Sequence, residues 1–226
     1  MSKGKIYSSA GNALADVFDG ATILIGGLSG YGIPRGLISE LAQRDVSELT
    51  CVFSPGISEN SRPAEVLAPL LSNGQISKLI CSDPFDLDNG GMLESQYRSG
   101  QVSIEIIPQG ILVERLRSAG AGLGGIFLPV RLGAKFSSDD QVRRINGEEC
   151  IYVEAMRGDF SLIKANESDS LGNLIYKGLE RNWAPVMAMA SGVTIVEAST
   201  IREPGDLNPE LIVTPGIFVN RIILAE

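Results

Sequence analysis

The chain has 226 residues, 44% of them apolar and 20% charged, with a formal charge of −8. That length suits one large α/β domain. The acidic surplus, with lysines and arginines scattered, argues against a nucleic-acid partner because no basic excess is present to neutralise phosphates. Histidine is absent, which excludes histidine triads, histidine general bases and histidine metal sites within the chain. No apolar run approaches the length needed to span a bilayer, so no membrane partner is expected. The opening MSKGKIYSSAGNALADVFDG is too polar and too acidic for a signal peptide, which predicts a cytoplasmic protein. Cys51, Cys81 and Cys150 lie far apart without C-x-x-C spacing, so neither a zinc site nor a redox pair is expected. Cys51 and Cys81 sit in apolar runs and read as buried small hydrophobes.

Residues 21–27 form a continuous apolar run and predict a buried strand. Residues 34–44 carry Leu37, Ile38 and Leu41 at helical spacing, and Pro34 suits a first-turn position. A short strand follows at 49–53, then a helix at 64–72, weakened by Pro69 and stopped at Asn73-Gly74. Strands at 75–82 and 102–107 flank a short helix at 91–99, and 111–118 is strongly amphipathic. This rhythm predicts an α/β fold, an open, mainly parallel sheet with helices on both faces. Beyond residue 125 the pattern changes, with strands at 149–155, 161–165 and 174–177 joined by short turns. A helix at 184–190, a strand at 193–197 and a turn-rich tail ending in an apolar segment complete a strand-rich C-terminal half. With no internal repeat or clear linker, one continuous domain over 1–226 is expected.

Two glycine clusters stand out. In ILIGGLSGYGIP, four glycines fall within the seven residues Gly26 to Gly32, between a predicted strand and a predicted helix. That order puts a helix N-terminus, with its unpaired N–H groups, at the loop, and glycine lets a ligand approach the backbone closely. A tight turn with close helix packing accounts for the same pattern. The second cluster, GAGLGG at 120–125, matches G-x-G-x-x-G in letters only. A helix precedes it and the apolar run 126–130 follows, so it lacks the strand-before, helix-after context of a dinucleotide fingerprint. It reads as a flexible helix-to-strand connection packed against a neighbour.

The stretch DGATILIGGLSGYGIP (Asp19 to Pro34) resembles the signature of the family I coenzyme A transferases: Asp-Gly, two residues, three apolar residues, Gly-Gly-Phe, three residues, then Gly-x-Pro, with Leu28 in place of the Phe. IIPQGILVERLRSAGAGLGG, RGDFSLIKANESDSLGNLIYKGLERNWAPVMAMA and ELIVTPGIFVNRII resemble later segments of the family's α chain in the same order, so the likeness covers nearly the whole chain. The resemblance implies an enzyme that moves CoA between carboxylic acids, with a small 3-oxo or dicarboxylic acid as partner substrate. It implies a β subunit that carries a nucleophilic glutamate and forms a glutamyl-CoA thioester, typically in an α2β2 assembly. It implies coenzyme A as substrate, with no further cofactor and no metal. Such covalent catalysis by a carboxylate needs no histidine. Gln109, in the Pro-Gln-Gly stretch, is implied as a contact to the acyl group or its oxyanion. Gly26, Gly27, Leu28, Ser29, Gly30, Tyr31, Gly32 and Ser54 are implied to frame the CoA or acyl site. A hydrolase of the same fold and a non-catalytic scaffold subunit are the alternatives.

Departures from the family's pattern cluster near the expected site. Ser54 and Pro55 replace an Asn-containing stretch, DPFDLDNGG (Asp83 to Gly91) replaces a Gly-Glu-Asn loop, LPVRLG brings in Arg131, and RNWAP brings in Trp183. Glycines kept with a changed polar lining suggest a different acyl substrate or a different fate for the thioester. Arg131 suits a second carboxylate, but the favoured reading is a surface arginine. Asp83, Asp86 and Asp88 do not complete a calcium loop and read as a solvated acidic loop. ISENS resembles the β chain's glutamate motif faintly, and Glu59 reads as a solvated loop residue. Glu94 reads as a helix-surface residue and Glu105 as the exposed face of a strand.

Overall fold

The computed structural model describes residues 4–54, 62–84, 91–129 and 142–225. A helical turn that the apolar pattern does not announce, α1 (Ala10–Ala13), comes first, and the Ser9 hydroxyl caps it by accepting from the Asn12 N–H at 3.2 Å. Then β1 (Thr22–Ile25), α2 (Arg35–Leu41) and β2 (Leu49–Val52) follow the predicted order. The helix expected at 64–72 is two pieces, α3 (Pro63–Val66) and α4 (Ala68–Ser72), interrupted at Leu67. Pro69 lacks the N–H that would bond back to the preceding turn, so the helix cannot run through it. The alternation continues through β3 (Ile76–Cys81), α5 (Met92–Arg98), β4 (Ser103–Ile106) and α6 (Gln109–Gly120).

The second half contains β5 (Gly125–Pro129), β6 (Val142–Ile145), β7 (Glu148–Glu154), β8 (Gly158–Asp169), β9 (Leu174–Ile175), α7 (Ala184–Ala190), β10 (Ser191–Arg202) and β11 (Arg221–Leu224). The main sheet runs β11-β10-β8-β1-β2-β3-β4 with every one of these pairings parallel, and β9 adds an antiparallel ribbon to β8. Strands β5, β7 and β6 form a separate antiparallel sheet. Its β6–β7 hairpin turns on Asn146-Gly147, with φ of 50° and 84°, the pair of positive values a two-residue type I′ turn needs. All four residues of β6 are exposed, so no hydrophobic alternation marks that strand in the sequence.

The strand alternation splits the core in two. Ile23, Ile25, Cys51, Phe53, Leu79 and Leu162 face α1 to α5, with Leu37, Leu41, Leu70 and Leu93 opposite. Leu24, Val52, Ile80, Ile163 and Val196 face α6 and α7, meeting Leu112, Leu116, Met187 and Ala188. Helices therefore cover both faces, as buried parallel strands require. Leu128 and Met156 tie the small sheet to the second layer. Among the described residues no helix is long and apolar enough to cross a membrane.

Strands β8 and β10 pair from Ser191↔Gly158 to Arg202↔Asp169, while β1 ends level with Leu162. Both therefore continue past the carboxyl edge of β1, further than the short strands expected at 161–165 and 193–197. Their outer halves alternate polar and small residues, which hides them from a hydrophobicity count. Connections from β1 lead toward β2 on one side, and those from β8 lead toward β10 on the other. The carboxyl ends of β1 and β8 thus form a switch point, where open parallel sheets bind ligands.

Candidate active site

Four successive loops leave the carboxyl edge of the sheet, after β1, β2, β3 and β4. The first is the glycine loop. Leu28 and Tyr31 exchange two backbone hydrogen bonds of 2.9 Å. Ser29 and Gly30 between them have φ of 51° and 85°, again a type I′ turn. Gly32 has φ +66°, and a Cβ there would lie 2.7 Å from the Cα of Glu180. Gly27 has φ +121°, and its Cβ would lie 2.6 Å from Ile33 Cγ1. These glycines let the loop fold on itself and pack against the 3-10 turn Gly178–Arg181. Gly30 faces open space, and Tyr31 is 60% exposed.

The helix N-terminus after this loop is already taken. The buried carboxylate of Glu197, on β10, accepts from the Leu37 N–H at 3.1 Å. That carboxylate occupies the N-terminal end of α2, and Lys164 Nζ lies 3.8 Å from its other oxygen.

Ser54, just after β2, is fully buried. Its hydroxyl shares a 3.0 Å hydrogen bond with Ser82 Oγ, just after β3, and accepts from Gln109 Nε2 at 3.2 Å. Gln109 opens α6, so one hydrogen-bonded chain links three loops and holds its carboxamide. That carboxamide lies at the edge of a recess of about 360 Å³, lined by Leu28, Gln109, Gly110, Val113, Asn182 and Trp183. Gln109, Gly110 and Asn182 are exposed to solvent, and Trp183 is buried. None of these lining residues is charged.

Of the residues singled out in the sequence, Leu28 and Gln109 meet in the recess and Ser54 lies behind Gln109. Gly26, Gly27 and Gly32 are packing positions beside it, while Ser29, Gly30 and Tyr31 form the loop's outer turn. Gly26 approaches β8, where a Cβ would lie 3.3 Å from Ile163 Cγ2. Trp183 joins the recess from the start of α7, with Asn182 beside it. Sequence reasoning missed Asn182, Gly110 and Val113 as lining. Val113 was findable, because it lies one helical turn after Gln109 and so shares its face. Asn182 and Gly110 carried no signal apart from their neighbours.

Other candidates lie elsewhere. Glu94 pairs with Arg98 on α5, its Oε1 2.8 Å from Arg98 Nε. Glu105 pairs with Lys78 at 2.6 Å and with Arg115 at 3.5 Å. Burial pushes the Cys51 thiol up to about 12; burial, with the Asp83 charge adding, does the same for Cys81, so neither presents a thiolate near neutrality. Among the described residues no cluster of three or more His, Cys, Asp or Glu is placed to hold a metal. Pro55, Glu59, Asp86, Asp88 and Arg131 lie outside the described residues. In the second glycine cluster, Gly120 closes α6 against α7, where a Cβ would lie 2.7 Å from Met189 Cβ. Gly125 starts β5, so this cluster is a helix-to-strand connection.

A parallel sheet with a neutral, amide-edged recess at its switch point defines the class: an α/β chain with a candidate site at the carboxyl edge of its strands. The family model for coenzyme A transferase matches residues 7–225. The chain is 38% identical over 220 residues to a 3-oxoadipate CoA-transferase subunit of Pseudomonas putida, covering 97% of this chain and 93% of that one. It is 40% identical over 212 residues to the same-named subunit of Acinetobacter baylyi, covering 93% and 90%. The chain belongs to the coenzyme A transferase family. Among solved structures, the acyl-CoA transferase YdiF apoenzyme of Escherichia coli O157:H7 superposes with a TM-score of 0.80 at 19% identity. That match covers 99% of this chain but 47% of the solved one, so the chain spans about half of that protein's length.

Proposed function

We propose that this chain is the α subunit of a two-chain CoA transferase, moving CoA between an acyl-CoA and a small 3-oxo or dicarboxylic acid. The observation that carries this reading is the recess around Gln109. It is open to solvent, offers amides and apolar wall, and has no nucleophile among its lining residues. A β partner completes it by supplying a glutamate carboxylate, in an α2β2 assembly.

The chemistry then balances without a metal. The glutamate carboxylate adds to the thioester carbonyl, and the tetrahedral intermediate expels CoA thiolate to leave a mixed anhydride. The thiolate attacks the glutamyl carbonyl of that anhydride, releasing the first carboxylate and forming the glutamyl-CoA thioester. The incoming acid runs the same steps in reverse. Gln109 contributes a carboxamide donor at the reacting oxygen, which stabilises charge as it develops without itself titrating. Ser54 and Ser82 hold that amide in orientation.

The test is to co-purify the chain with its β partner and incubate the complex with a panel of acyl-CoAs, with and without carboxylic acid acceptors. New thioester that appears only with an acceptor, followed by mass spectrometry, is the expected result. Free CoA released without any acceptor would replace the transferase reading with a hydrolase.

A further inference from the structure

Glu197 is the charged residue in the buried stretch of β10. A buried carboxylate is costly unless it is paired and hydrogen-bonded, so its partners are informative. Its Oε2 accepts from the Leu37 N–H at 3.1 Å. Lys164, its register neighbour on β8, brings Nζ to 3.8 Å from Oε1. Leu37 is the third residue of α2, where a capping side chain commonly takes the N–H. The residue at the cap position, Pro34, makes no such bond, and proline has no side-chain acceptor. Gly36 leaves the carboxylate room, since a Cβ there would lie 3.0 Å from the same oxygen. Glu197 therefore does from a distant strand what a local cap would do.

The position of that cap matters because α2 begins where the glycine loop ends. The entry of the loop is fixed by the Gly26 N–H, which donates to the Leu162 carbonyl on β8 at 2.9 Å. The exit is fixed by the Leu37 N–H on Glu197 of β10. Both feet of the loop thus stand on the paired strands β8 and β10. Between them Ile33 is buried against Gly27, and Leu28 forms part of the recess wall. Gln109 is held separately, by Ser54 and Ser82. We infer that Glu197 is a positioning residue: it caps α2 from β10, fixes the exit of the glycine loop and so sets the Leu28 wall, without touching substrate. Loss of the cap disturbs binding in the recess and leaves the reacting amide in place. This rests on the CoA-transfer reading above.

Wild type, Glu197→Ala and Glu197→Gln, each in complex with the β partner, test it with succinyl-CoA and acetoacetate, or the pair the panel above selects. Glu197→Gln keeps an oxygen acceptor for the Leu37 N–H, and Glu197→Ala removes it. Glu197→Ala should raise KM for the thioester about tenfold with kcat within about twofold of wild type, and Glu197→Gln should bring KM back to within about threefold. A role in folding alone would shrink the active fraction, lowering kcat and leaving KM. That pattern, or equal KM losses in the two variants, would overturn the assignment. If Glu197→Ala does not assemble, Glu197→Asp, whose carboxylate stops a methylene short, takes its place with the same expectation. A second measurement needs no turnover. Hydrogen exchange of the complexes, followed by mass spectrometry, should be about tenfold faster over residues 26–38 in Glu197→Ala, with β8 and the centre of β1 unchanged. No change over 26–38, or an equal rise in all three, would reject the cap. If the wild-type complex moves CoA from no thioester, the transferase reading fails, and the exchange result still decides whether Glu197 holds the loop.

Discussion

In the proposed reaction Gln109 is the donor from this chain, and its neighbours explain how it is held. A carboxamide at the mouth of an open recess would sample many rotamers, but Ser54 accepts from its Nε2 at 3.2 Å and is itself bonded to Ser82. Gln109→Ala should lower kcat of the assembled enzyme by about 10²–10³-fold, the effect of removing one oxyanion donor. Ser54→Ala leaves the amide present but less fixed and should cost only about fivefold, the worth of one neutral hydrogen bond. Equal losses in steady-state kinetics of the two variants would contradict this division of roles. The buried thiols give a second expectation. Cys51 has its pKa raised from 9.0 to about 12 by burial, and Cys81 likewise, with burial the larger cause and Asp83 adding. Between those values the unfolded chain has released protons that the folded chain still holds, so stability falls as pH rises through that window. The urea midpoint should drop between about pH 8 and about pH 10, and drop less in Cys51→Ala.

At the scale of elements, the glycine loop and the 3-10 turn act as one unit. Gly32 packs its Cα face onto the backbone of Glu180, and that turn leads directly into Asn182 and Trp183. Gly32→Ala combines a left-handed backbone with a backbone clash and should cost about 2 kcal/mol or more of stability, with a raised KM because the recess wall shifts. Gly30→Ala meets only the backbone term at φ +85° in open space, so about 1 kcal/mol and an unchanged KM are expected. Thermal melts and kinetics on both variants check the contrast. The two long strands are the other element-scale finding. Because β8 and β10 extend beyond β1, Glu197 on β10 reaches the start of α2 and ties the exit of the glycine loop to the sheet. The continuous apolar run at 21–27 and the short apolar stretch at 49–53 made β1 and β2 readable. The polar outer halves of β8 and β10 concealed their length, and β6, with four exposed residues, concealed the small sheet despite its Asn146-Gly147 turn.

Across the whole molecule, stability is unevenly distributed. The centre of the main sheet, with Leu24, Leu162, Ile163 and Val196 all fully buried, lies between both helix layers. The β5-β7-β6 sheet joins the core through few residues and exposes β6 entirely. Amide exchange should accordingly be slowest in β1, β8 and the middle of β10, and faster by orders of magnitude at Val142–Ile145. Hydrogen exchange followed by mass spectrometry checks this, and uniform protection across both sheets would contradict it. The exposed recess at the sheet's carboxyl edge is also a whole-molecule property, since it leaves Gln109 and Asn182 on the surface where a second chain can reach them.

By itself the sequence determined the α/β alternation, the helices on both faces, the glycine-rich turn after the first strand and the absence of histidine in this chain. Each of these follows from period, backbone freedom or residue type within a few positions of the chain. Its likeness to one family pointed to Gln109 and Leu28 as candidates, and both line the recess. Only the tertiary structure decided that Leu28, Gln109, Val113, Asn182 and Trp183 share one recess, and that Ser54 and Ser82 hold the amide. It alone showed that the α2 N-terminus is closed by a carboxylate 160 residues away. Those facts depend on strand order and on how far β8 and β10 run past their neighbours, and packing between segments distant in sequence sets both.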